Sequence, residues 1–139
     1  MIVLDTNVLS EPMRPHPEPR VLSWLSANAG ALWTSAVTVQ EIIYGVRRLK
    51  EETRRELLRR KFETALSDLI GTRVLALDEK AGQLAGSILA QRTNDGIPIS
   101  IPDAQIAAIA QLNNATLATR DADDFAGLGL SIINPWEAA

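Results

Sequence analysis

The chain has 139 residues, 46% hydrophobic and 22% charged, with a formal net charge of −3 and no cysteine. That length and apolar share suit a single domain, expected over residues 1–139, with one core and one site. The missing cysteine excludes disulfide frameworks, zinc thiolate sites, iron–sulfur clusters and thiol nucleophiles, leaving oxygen as the plentiful ligand atom. No apolar stretch approaches the roughly 20 residues of a membrane span, and no basic and apolar leader opens the chain, so a cytoplasmic protein without membrane contact is expected.

Met1 to Leu4 is a short apolar run ending at Asp5, the pattern of a strand buried on both faces. Pro12, Pro15, Pro17 and Pro19 break an early helix, so a brief helical turn after Thr6 gives way to a loop and then to a helix near Val21 to Ala27. Ala31 to Thr34 predicts a second strand. Apolar positions recurring at three and four predict helices over Thr38 to Lys50 and Glu51 to Ile70. Arg73 to Leu77 reads as a third strand, followed by a helix over Glu79 to Gln91 with Asn94-Asp95-Gly96 as its exit turn. A helix over Pro102 to Leu112 and strands over Ala115 to Ala118 and Leu130 to Ile133 complete the chain. Strands alternating with helices in this way give an α/β fold, a mainly parallel sheet covered on both faces. In such sheets the site lies beyond the carboxyl ends of the strands.

A negative net charge argues against a binder of phosphate backbones. Eight of the 14 basic residues fall between Arg47 and Lys61, but Glu51, Glu52, Glu56 and Glu63 are interleaved at helical spacings. The favoured reading is a solvated helix laced with ion pairs, with nucleic-acid contact as a secondary use of that face.

Four acids share the predicted edge. Asp5 ends the first strand. Glu41 follows the second strand, in a helix that Thr38 could cap through a capping box with Glu41, or that Ser35 could start, leaving Glu41 free to face the crevice. Gly45, one turn on, suggests a close approach on the same face. Asp103 follows Pro102 in the first turn of a helix, at its positive end. Asp121, Asp123 and Asp124 follow the last long strand; Asp121 should point inward, and Asp123 or Asp124 should cap the turn before Phe125.

Each acid alone has a local explanation as a cap or turn residue. Together they come from four segments that the topology brings to one sheet edge. Two carboxylates about 4 Å apart repel by about 4 kcal/mol at an effective dielectric near 20, so such a cluster requires raised pKa values or a cation. Oxygen ligands without thiolates select Mg²⁺ or Mn²⁺, and phosphodiester hydrolysis is the natural chemistry. The only histidine, His16, lies between two prolines away from these segments, which disfavours histidine-based acid–base or Ser-His-Asp chemistry. Gly82 and Gly86 sit within a helix as packing positions and form no phosphate loop.

The runs Leu4-Asp5-Thr6-Asn7, Ser35 to Gly45, Asp103 to Ala108, Thr119 to Phe125 and Asn134-Pro135-Trp136 resemble, in order and spacing, the PIN-domain nucleases, specifically the VapC and FitB toxins of type II toxin–antitoxin systems. The resemblance implies a three-layer α/β/α sandwich, an endoribonuclease using Mg²⁺ or Mn²⁺, and a cognate antitoxin that blocks the site. It implies a homodimer, and contact with DNA only through the antitoxin. Carried over by position, the acidic set is Asp5, Glu41, Asp103 and Asp121. Asp5 and Asp103 would be the principal metal ligands with Asp121 beside them, and Glu41 would help orient water. Thr6 and Thr119 would be the hydroxyls that fix the carboxylates. Position 121 is often asparagine in relatives.

Two other readings compete. The chain could be a catalytically weak binding module whose acids hold a partner's arginine in a DNA-bound complex. A phosphoacceptor domain is disfavoured, because it needs an early acidic pair and a late lysine, and no lysine follows Lys80.

Overall fold

The computed structural model describes residues 1–138. Five strands, β1 (Ile2–Leu4), β2 (Leu32–Ser35), β3 (Val74–Leu75), β4 (Thr116–Ala118) and β5 (Ser131–Ile133), form one sheet in the order β3-β2-β1-β4-β5. All four pairings are parallel, with β1 at the centre in register with Leu32 and Trp33 on one side and Thr116 to Ala118 on the other. Six helices flank it: α1 (Thr6–Ser10), α2 (Pro19–Ala27), α3 (Ala36–Arg47), α4 (Glu52–Ala65), α5 (Glu79–Asn94) and α6 (Ile101–Leu112).

Adjacent strand residues point to opposite faces, and here both faces are buried. Val3, Trp33, Leu117 and Ile132 enter a core with Ala81, Ala85 and Ile88 of α5 and Ala104, Ala107 and Ala108 of α6. Leu4, Leu32, Ala118 and Ile133 enter a second core with Leu9 of α1, Leu25 of α2, Ile42 of α3 and Phe62 of α4. The alanines let α5 and α6 pack together, and their mutual contact is the most extensive between helices. The expected three-layer α/β/α sandwich is therefore present.

Helix starts are set by short polar side chains that satisfy orphan amides. Ser35 Oγ accepts from Thr38 N at 3.1 Å, Asp78 Oδ1 from Ala81 N at 2.9 Å, and Ser100 Oγ from Asp103 N at 3.2 Å. Ser35, and not Thr38, is thus the cap of α3, which puts Glu41 on its second turn. The predicted exit turn after α5 is present, with Gly96 at φ +70°.

Several expected boundaries move. β3 is confined to Val74 and Leu75, whereas the apolar pattern ran to Leu77. The Glu51 to Ile70 helix ends as an α-helix at Ala65 and continues as a wider π turn over Leu66–Ile70, closed by Gly71 N donating to Leu66 O at 2.8 Å. A Cβ at Gly45, Gly82 or Gly86 would meet nothing within 4 Å, so no neighbour within the chain explains these glycines and the packing reading of Gly82 and Gly86 is corrected. The interleaved charges of α4 do form the expected ion pairs, Arg59 with Glu56 and Glu63 and Arg60 with Glu56.

Candidate metal centre

β1 delivers Asp5 to the carboxyl edge. Pairing of Leu4 with Ala118 sets Asp5 beside Thr119, and Asp5 N donates to Ala118 O at 2.9 Å. Its carboxylate is only 4% exposed. Oδ1 accepts from Thr6 N at 2.8 Å and Oδ2 from Thr119 Oγ1 at 2.7 Å. Burial nevertheless wins, raising its pKa to about 6, with the charges of Asp103 and Glu41 adding to the shift against the two hydrogen bonds.

Glu41 is tied to the same place by Thr6, whose Oγ1 donates to Glu41 Oε1 at 2.7 Å and lies 3.3 Å from Thr38 Oγ1. The two threonines expected from sequence therefore do touch carboxylates. Thr119 holds Asp5 by its side chain; the Thr6 hydroxyl holds Glu41 and only its amide holds Asp5.

Asp103 sits half-buried in the first turn of α6. Burial raises its carboxyl pKa first, opposed by Ser100, and the negative charges of Asp124, Glu41 and Asp121 push it the same way. The charge of Asp103 thus acts on Asp5, and that of Glu41 acts on both. The acids from β1, α3, α6 and the segment after β4 lie close enough for their charges to act on one another.

Asp121 is exposed, and is steered by Asn7, whose Nδ2 donates to Asp121 Oδ2 at 3.0 Å while its Oδ1 accepts from Arg120 N at 3.3 Å. Asp121 N also donates to Thr119 Oγ1 at 3.0 Å. Asn7 and Asp124 are the residues that sequence reasoning left without a place at the site. Asp124 was expected to share capping of the short turn with Asp123. The 3₁₀ turn Ala122–Phe125 has no side-chain cap bond, and Asp124 is instead the first-ranking negative charge acting on Asp103. Three acids in four residues was the available signal. His16 is exposed in its loop, as expected.

The donors here are all oxygen and two of the acids, Asp5 and Asp103, hold their protons more tightly than usual, which is the chemistry of a site suited to a hard divalent cation. Among the described residues no three acids or histidines are arranged as a ready ligand cage. One or two carboxylates completed by water is a common way to hold Mg²⁺, so the residues fit that ion without a full protein cage. A cleft of about 350 Å³ lined by Asp121, Asp123, Asp124 and Arg120 adjoins the site. A separate apolar cavity of about 410 Å³ between α2 and α4, lined by Leu22, Leu25, Ala65 and Leu69, contains none of the clustered acids.

With this geometry, similarity to known proteins becomes informative. The plasmid stability protein StbB of Pseudomonas syringae pv. tomato is 41% identical over 139 residues, covering 99% of this chain and 100% of its own. Toxin FitB of Neisseria gonorrhoeae is 36% identical over 137 residues, covering 98% and 99%. The VapC ribonuclease Y4jK of Sinorhizobium fredii is 38% identical over 140 residues, covering all of both chains. The solved structure of FitAB bound to an IR36 DNA fragment superposes with a TM-score of 0.88 at 35% identity, covering 100% of this chain and 98% of that one. The family model described as PIN domain matches residues 2–129. Sequence identity along the whole length, the parallel sheet and the family match agree, and the chain belongs to the PIN domain family.

Proposed function

We propose that this chain is a divalent-metal-dependent endoribonuclease and the toxin of a toxin–antitoxin module, acting in the cytoplasm as a homodimer. The observation that carries the reading is that Thr6 joins Asp5 and Glu41 at one sheet edge, its amide to one carboxylate and its hydroxyl to the other, with the charge of Asp103 acting on Asp5 beside them. The relatives named as a toxin and a ribonuclease support the activity, and the structure of FitAB bound to DNA supports a partner protein and a DNA-bound complex.

Asp5 and Asp103 would hold Mg²⁺ or Mn²⁺, with Asp121 on the open side. When bound, that ion supplies Lewis-acid stabilisation of a phosphoryl oxygen and lowers the pKa of water. The protein's own contribution is placement. Thr119 and the Thr6 amide lock the Asp5 carboxylate from two sides. Thr6 occupies Glu41 Oε1, leaving Oε2 to accept a proton from the attacking water. Asn7 fixes the orientation of the Asp121 carboxylate.

The test is cleavage of RNA by Asp5→Asn and Asp103→Asn proteins in the presence of Mg²⁺, together with growth arrest in cells. Both effects should disappear in each variant, and unimpaired cleavage by either refutes the assignment. The second reading, a binding module whose acids grip a partner's arginine, draws on the absence of a ready three-ligand cage among the described residues. Calorimetry separates the two: no uptake of Mg²⁺ or Mn²⁺ by the partner-free protein favours the binding module.

A further inference from the structure

Arg92 is a buried guanidinium, whereas the arginines that form ion pairs, Arg14, Arg59 and Arg60, are exposed. It stands in the last turn of α5 and is only 7% exposed. Among the described residues no carboxylate lies within salt-bridge distance of it; the ion pairs belong to Arg14, Arg59 and Arg60. Its hydrogen bonds go to backbone carbonyls: Nη2 donates to Asp124 O at 3.1 Å and to Ala126 O at 2.8 Å, and Nη1 to Ile97 O at 3.5 Å. Ile97 N returns a bond to Arg92 O at 3.0 Å.

Burying an unpaired cation is costly, and a position at a helix carboxyl end offsets only part of that. An apolar residue would fill the space more cheaply if filling were the only need. What the guanidinium adds is a rigid planar fork that reaches two loops at once. One loop runs from α5 through Ile97 to Ser100, the cap of α6, and so sets where Asp103 begins its helix. The other is the turn bearing Asp121 and Asp124, the two acids of that segment that act on Asp103.

We propose that Arg92 is a positioning residue that fixes the separation between Asp103 and the Asp121 to Asp124 turn, and through it the affinity of the site for a divalent cation. The proposal rests on the metal-dependent reading above. The Arg92 guanidinium is taken up by backbone carbonyls, so its effect runs through the geometry of the acids.

Mn²⁺ binding to the RNA-free protein, measured by electron paramagnetic resonance, tests it with Arg92→Lys and Arg92→Met, backed by amide hydrogen exchange over residues 121–126. Lysine keeps the charge but cannot span three carbonyls. The expected result is about a tenfold weaker Mn²⁺ affinity for either variant, faster exchange over residues 121–126, and a fall in kcat without a matching rise in the KM for RNA. Phe62→Leu, in the opposite core, is the control for general destabilisation and should leave the Mn²⁺ constant unchanged. If Arg92→Met does not fold, Arg92→Lys decides. Wild-type Mn²⁺ affinity in a folded Arg92 variant overturns the positioning role alone, whereas a wild-type protein that takes up no Mn²⁺ overturns the metal reading and this proposal with it.

Discussion

Two regions of this molecule are dense in charge and handle it in opposite ways. On α4, Glu56, Arg59, Arg60 and Glu63 stand in solvent and neutralise one another, so that the Arg59 guanidinium holds the Glu56 carboxyl down at about 2. At the sheet edge, Asp5, Glu41, Asp103, Asp121 and Asp124 face one another with no cation among their hydrogen-bond partners, and the buried ones are pushed up. Exposed charges on a helix can choose partners at three and four residues' distance, and water screens what remains. The edge acids are fixed by the sheet and cannot escape one another. Like charge held in place against its own repulsion is what singles out the candidate site, and charge density alone does not.

The largest effect that would sharpen this contrast is on catalysis. Asp103→Asn should lower kcat/KM for RNA cleavage by about a thousandfold, the order expected when a group acting on transition-state charge is lost. Excess EDTA should do the same to the wild type, and dialysis into Mg²⁺ should restore it. A smaller loss is expected from the hydroxyls that orient the acids. Thr119→Val and Thr6→Val should each cost about 10- to 100-fold in metal affinity or rate, read by metal titration of activity.

The site should also oppose stability. Between the unfolded value of 3.8 and the folded value of about 6 for Asp5, the native state binds the extra proton, so stability falls as pH rises across that window. The penalty is absent below it and complete above it. Metal-free Asp5→Asn should therefore be more stable than wild type at pH 7 by about 1 to 3 kcal/mol. Denaturant unfolding at pH 7 and pH 4 checks this, with the gain vanishing at the lower pH; equal or lower stability at pH 7 would remove the buried-charge account. Smallest of all is the contribution of the other region: Glu56→Gln should leave the thermal midpoint unchanged within scatter at any salt concentration, because exposed pairs contribute little. A clear loss of stability there would erase the distinction between the two regions.

Much of the acidic cluster was legible in the sequence. Asp5, Glu41, Asp103 and Asp121 each follow a strand or open a helix, and a parallel sheet sends those positions to one edge. Asp124 was not legible, because its local pattern is that of a turn cap and only packing of its 3₁₀ turn against α6 sets it near Asp103. Arg92 was hidden for a similar reason. An arginine in a helix's last turn reads as solvent-facing, and nothing nearby in sequence reveals that the turn after β4 folds over it.

From sequence alone came the order of elements, the both-face burial of short apolar strands, the oxygen-only ligand chemistry and the family resemblance, since all follow from local periodicity, composition and the spacing of motifs. Tertiary structure alone decided that Ser35 caps α3, that Thr6 reaches across to Glu41, and that Asn7 bonds the Asp121 carboxylate and Arg92 the Asp124 backbone, each more than 25 residues away in the chain. The physical reason is that hydrogen-bond partners and burial are properties of closed distances, and a one-dimensional pattern holds no record of which distances close.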